Sequence, residues 1–309
     1  MTKKATGKYF IDFWDVLKKT AKRWNDADPF RQSAIIAFYA IFSLPALLVI
    51  IITIAGYAFG EEAIEGKLSG QIAEMLGADA AEMVELMVAN AAKTEASNLM
   101  MIVGIAILIF GSTTVFIQLQ KSLNRIWGVR PIPEKAWLKY LKDRLFSFGI
   151  ILVIGFLLLI SLVVTSTLTI FSDLIKQYVP EVFMVGFHLI NIVASLSIIA
   201  TLFAMMFKIL PDAIIRWKSV WKGAFLTAVL FEIGKYGISI YFGKADPASM
   251  YGAAGSIILI LLWISYVCMI LFFGAEFTKQ YAIKFGFGII PSASAELVDR
   301  RLDDPYELE

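Results

Sequence analysis

The chain has 309 residues, 59% of them hydrophobic and only 17% charged, with a net charge of +2. Soluble domains run near half apolar and a quarter charged, so any water-soluble fold of this composition would expose large apolar patches. The balance excludes an ordinary soluble domain, and the dispersed basic residues give no nucleic-acid-binding region. One cysteine, Cys268, rules out an intramolecular disulfide framework or a cysteine-based metal cluster. One histidine, His188, restricts metal and acid–base chemistry almost as severely.

The first residues are basic, but residues 9–32 are polar and amphipathic, with no short apolar region or small-residue cleavage site. No removable signal peptide is expected. In residues 9–24, Phe10, Phe13, Trp14, Leu17, Ala21 and Trp24 recur at steps of three and four, with Lys18, Lys19, Lys22 and Arg23 mostly elsewhere on the wheel. This predicts a helix, either on the cytoplasmic leaflet with its tryptophans at headgroup depth or packed against cytoplasmic loops.

Six stretches then reach the roughly 20 apolar residues that cross a bilayer core, near 33–59, 99–119, 146–171, 182–207, 223–242 and 251–275. Eight of the nine prolines lie outside them, where they stop helices without penalty. Pro45 lies inside the first span, where a kink and a freed carbonyl are expected. Between the first two spans, residues 60–98 are acidic and carry a helical apolar face through Leu68, Ile72, Leu76, Met83, Leu86 and Met87. They are expected to cap the outer mouth of the bundle.

Lysine and arginine set the orientation. Of the 28, 23 fall before the first span, in the second and fourth connections, or after the last span. The positive-inside rule therefore puts both termini in the cytoplasm. The expected architecture is all-α and polytopic: residues 1–32 an amphipathic N-terminal helix, 33–285 a six-helix transmembrane domain, 286–309 a cytoplasmic tail.

Glu232 and Lys235 are the most unusual pair, near mid-depth in the fifth span and three residues apart, hence on one helix face. A lone charge at that depth costs roughly 2.5–3.5 kcal/mol, so such groups face the bundle interior or water, and usually pair. They form either a polar pathway or an internal ion pair that locks packing. Weaker polar stripes follow helical spacing: Ser161, Thr165, Thr169 and Ser172 in the third span, His188, Asn191 and Ser195 in the fourth, and Thr114, Gln118 and Lys121 in the second. Hydroxyls in membrane helices most often serve packing. Glu276 follows Gly274 and Ala275 at the cytoplasmic end of the last span, placed to accept hydrogen bonds from a neighbouring helix end or to line a gate. The sequence has no GxSxG, HExxH, Walker A or CxxC motif, and no cofactor or metal is expected.

Three segments carry a resemblance. Residues 37–45, with Tyr39, Ser43 and Pro45, the run Tyr251-Gly252-Ala253-Ala254-Gly255-Ser256, and the stretch from Trp263 to Gly274 and Glu276 resemble hallmarks of the YihY/virulence factor BrkB family. The likeness in span number and order covers about residues 10–285. Many members have a residue between the Ser-Leu pair and the proline, whereas here Pro45 follows Ser43-Leu44 directly, which shifts the expected kink by one position. The resemblance implies a six-helix bacterial inner-membrane protein with cytoplasmic termini. Some members have carried the label ribonuclease BN, which a chain with one intramembrane histidine does not support. Others have been linked to the cell envelope and to lipids or lipopolysaccharide precursors. No catalytic residues carry over.

The expected function is a transporter or flippase-like protein for a lipid or amphipathic envelope molecule, with Glu232, Lys235, His188, Asn191 and Gln118 as pathway candidates. A non-transporting scaffold in envelope biogenesis is the alternative, and the protein is not expected to be an enzyme. Expected partners are membrane lipids, a lipid or amphipathic substrate, and envelope proteins or further copies of the chain, with no nucleic acid.

Overall fold

A computed structural model describes residues 2–92, 98–132, 181–245, 253–285, 288–293 and 295–298. The expected third span at 146–171, the hydroxyl stripe within it, Tyr251, Gly252 and the last residues of the tail lie outside the described residues.

The described chain is mostly helical. Helices α1 (Thr2–Asp26), α2 (Pro29–Phe59), α3 (Glu61–Leu76), α4 (Ala78–Ala92) and α5 (Asn98–Trp127) lead to a short strand, β1 (Val129–Pro131). Then come α6 (Glu181–Ile209), β2 (Ala213–Ile214), α7 (Trp217–Ala245), α8 (Ala253–Lys284), β3 (Ile290–Pro291) and β4 (Ala295–Leu297). Pro29 opens α2, where its missing N–H has no intrahelical partner to lose. The acidic connection forms two helices rather than one continuous face. Gly60 (φ 88°) ends α2 with its N–H on the Gly56 carbonyl, and Gly77 (φ 95°) ends α3 in the same way on Ala73. A side chain is strained at those angles, which is why glycines stand at both breaks.

The 31-residue α2 runs through Pro45 without a break. Proline at that position takes the donor away from the Ile41 carbonyl. Just before it, Ser43 is buried and donates to the Ala40 carbonyl at 3.1 Å.

Helix α8 is central, touching α1, α2, α4, α5 and α7, while α6 lies against α7. The main core gathers at one end of the bundle around Leu123, Trp127, Phe207, Leu210 and Phe272, each at most 2% exposed. A smaller core further along the bundle joins Leu48 of α2, Ala80, Val84 and Val88 of α4 and Ile260 of α8.

Close approach of α7 and α8 has a definite cause. Gly223 and Gly274 leave room for Thr278 and Thr227 of the opposite helix, and a Cβ on either glycine would overlap the facing threonine Oγ1. Each hydroxyl donates at 2.7 Å to the carbonyl four residues earlier on its own helix, from Thr227 to Gly223 and from Thr278 to Gly274. Small residues that let backbones meet, with every polar atom satisfied, are the usual glue of helices in lipid.

Helix α1 docks along α8. Val16 and Thr20 are buried, Trp24 Nε1 donates to the Met269 carbonyl at 3.1 Å, and the Phe13 ring meets Phe277 edge-on. Lys284 reaches Asp12 at 3.2 Å and Asp15 at 3.1 Å. Hydrogen bonds from Lys284 and Lys19 hold the Asp15 carboxyl below its ordinary pKa. Trp24 thus packs on protein, whereas Trp14 is exposed with Lys18 over its ring.

Two antiparallel ribbons depart from the all-α expectation. β1 pairs with β4 (Val129 opposite Leu297), and β2 pairs with β3 (Ala213 opposite Pro291). They tie the segment after α8 to the end of α5 and to the α6–α7 connection. Among the described residues, Ile192–Ile209 and Gly255–Lys284 are each long and apolar enough to cross a membrane.

Candidate functional site

Glu232 and Lys235 lie one turn apart in α7, and their side chains meet, Lys235 Nζ standing 2.9 Å from Glu232 Oε2. The lysine side chain is 27% exposed and the glutamate 20%, so the pair is neither sealed in the core nor freely solvated. Glu232 Oε1 takes a long hydrogen bond of 3.5 Å from Ser195 Oγ of α6. Lys235 Nζ also stands 5.4 Å from the centre of the Tyr236 ring. Around the pair the outward surface is apolar or aromatic: Ile233 and Tyr236 are more than 60% exposed.

The opposite face of this stretch is fixed to α8. The hydroxyl end of Tyr266 sits against Gly234, where any Cβ would overlap it, and its hydroxyl donates to the Leu230 carbonyl at 3.4 Å. The Trp263 ring meets Phe231 edge-on at 5.7 Å and Tyr266 at 6.1 Å. The backbone carrying the charges therefore packs against α8 on one face, and the charges lie on the other.

The other pathway candidates divide. His188 and Asn191 lie in α6, two turns and one turn before Ser195, and their side chains lie outside the described residues. Gln118 of α5 is half-buried and does not join the Glu232 pair. The polar contacts of α5 instead come from residues further along. Asn124 donates from Nδ2 to Asp212 Oδ2 at 2.8 Å, and its Oδ1 accepts the Asp212 backbone N–H at 2.8 Å. Gln120 adds a 3.4 Å bond to the same carboxylate oxygen. This clasp joins residues 88 apart in sequence, and no local pattern announces it.

The motif residues are mainly structural. Gly274 receives Thr227, Gly255 is buried, Trp263 packs on Phe231, and Tyr39 is an exposed ring edge-on to Phe38. Glu276, only 4% exposed, accepts from Gln280 Nε2 at 2.6 Å. Among the described residues its donor is on its own helix, one turn on, where its position suggested a neighbouring helix end. With Trp24, Gln32 and Phe272 it lines a small cavity beneath the α1–α2 turn.

The chain matches the family described as Virulence factor BrkB over residues 20–287. It belongs to that family. Curated relatives carry the name UPF0761 membrane protein. One from Pseudoalteromonas atlantica is 28% identical over 262 residues, 81% of this chain and 80% of that protein. One from Alteromonas mediterranea is 24% identical over 255 residues, 79% of each. A third, from Tolumonas auensis, is 27% identical over 195 residues, 62% of this chain but only 59% of its own length. No solved structure matches the chain. This BrkB-family chain is thus an integral membrane protein.

Proposed function

We propose that this BrkB-family protein moves a lipid or other amphipathic envelope molecule across the bacterial cytoplasmic membrane, as a six-span transporter or flippase-like protein with both termini in the cytoplasm. The charge asymmetry supports the orientation, and the five long helices α2, α5, α6, α7 and α8 together with the apolar run at 146–171 support six crossings. On this reading the protein is not an enzyme and takes no cofactor.

The observation that carries the reading is the Glu232–Lys235 pair, about a quarter exposed within an otherwise apolar helix surface. Charges inside a membrane are retained where they meet a substrate, a proton or each other. This pair meets each other without being sealed, so a headgroup arriving along α7 can exchange with either partner while its acyl chains stay against Ile233 and Tyr236. The test is reconstitution of the pure full-length chain in vesicles carrying acyl-chain-labelled phospholipids. Headgroup crossing faster than in empty vesicles supports transport; equal rates contradict it.

A scaffold that organises envelope proteins draws on a different observation. The two ribbons and the Asn124–Asp212 clasp close the basic end of the bundle into a platform, with Arg130 and Glu296 paired on its outside at 2.9 Å. A scaffold keeps its cellular phenotype when Glu232 and Lys235 are replaced by leucine and alanine, and a transporter loses it.

A further inference from the structure

We infer that the Glu232–Lys235 pair selects a zwitterionic headgroup, an ammonium beside a phosphate, over a net anionic one; the inference rests on the transport reading above. The pair is neutral as a unit, with a cation and an anion 2.9 Å apart. A zwitterion presents the complementary couple, phosphate to Lys235 and ammonium to Glu232, and leaves no charge without a partner. An anionic headgroup at Lys235 instead sets its phosphate beside the Glu232 carboxylate, a like-charge contact in a medium that screens poorly.

The secondary contacts favour exchange at both ends. Oε2 of Glu232 is the oxygen held by Lys235, while among the described residues Oε1 has only the 3.5 Å contact from Ser195, a weak hold that an ammonium displaces readily. Lys235 keeps the Tyr236 ring at 5.4 Å when the carboxylate turns to another cation, so the lysine is not stranded as it takes up a phosphate. Because Tyr266 packs on Gly234 from behind, the two charges cannot retreat with their backbone.

The test uses the full-length chain in vesicles, with phosphatidylethanolamine and phosphatidylglycerol labelled on an acyl chain so that the headgroups stay intact. The expected result is phosphatidylethanolamine crossing about tenfold faster, the ratio that one unit of log affinity gives. Glu232→Gln leaves Lys235 as a lone cation and is expected to reverse the order. The exchanged variant, Glu232→Lys with Lys235→Glu, keeps a neutral couple and is expected to restore the zwitterion preference, which provides a second reading where the single variant folds poorly. Phosphatidylglycerol crossing as fast or faster in the unaltered protein overturns the inference and leaves transport standing. No crossing of either lipid overturns both.

Discussion

Thr278 Oγ1 occupies the place where a Cβ on Gly223 would stand, and the relationship is returned by Thr227 on Gly274. Antiparallel α7 and α8 are locked by this double exchange, and the same helix pair carries Glu232 and Lys235 further along. The rigidity of the charged face thus begins with two glycines that no side chain can replace.

Gly223→Ala forces a methyl into the Thr278 hydroxyl and is expected to destabilise the helix pair by about 1–3 kcal/mol, the range for overpacking a tight contact. Thr278→Ala on the same background is expected to return part of that loss, because the overlapping oxygen is gone. Thermal unfolding of the detergent-solubilised protein measures both; additive losses in the double variant contradict the contact.

The Glu232–Lys235 pair is expected to show a coupling of about 1 kcal/mol in a double-mutant cycle built from Glu232→Gln and Lys235→Met, in line with partly exposed ion pairs. The readout is unfolding of the four proteins in one detergent. A coupling near zero means the two side chains do not hold each other, contrary to their 2.9 Å separation.

Asn124 and Asp212 make two 2.8 Å hydrogen bonds to each other, one through the Asp212 backbone. Asn124→Ala leaves a carboxylate oxygen and an N–H short of partners and is expected to cost about 1–3 kcal/mol. Limited proteolysis is expected to cut the 210–216 connection faster in the variant, and unchanged cleavage contradicts the clasp.

Asp15 has its pKa lowered by Lys284 and Lys19, so its contribution to docking α1 is present above the unfolded carboxyl value and is lost as pH falls through the lowered one. Amide exchange in α1, taken relative to the intrinsic rate at each pH, is expected to stay flat from neutral pH down to about pH 4 and to rise below it. Lys284→Met is expected to bring that faster exchange on at neutral pH. Relative exchange that rises instead as pH increases contradicts the latch.

The helices were legible because long apolar runs can be satisfied in lipid only as helices: the runs at 33–59 and 182–207 coincide with α2 and α6 to within a few residues, while α7 begins six residues before the run at 223–242 and α8 continues nine residues past the run at 251–275. Helix α5 extends eight residues past its apolar run to Trp127, because Leu123, Ile126 and Trp127 pack into the main core while the polar residues between them mask the signal in the hydropathy. Glu232 and Lys235 stood out because opposite charges one turn apart in an apolar run have few alternatives to meeting. The ribbons were not legible: strands of two or three residues are too short for any alternation to register. Nor was the choice of Asn124 and Gln120 over Gln118, which depends on where the distant Asp212 loop lands.

The central claim is that the charges at 232 and 235 serve a headgroup and not merely helix packing. The most direct measurement compares headgroup crossing by the unaltered chain and by the Glu232→Leu, Lys235→Ala double variant, both reconstituted at equal density and both shown to be monodisperse. The account predicts that the unaltered chain exceeds empty vesicles while the double variant falls to their rate. Undiminished crossing by the folded double variant contradicts it.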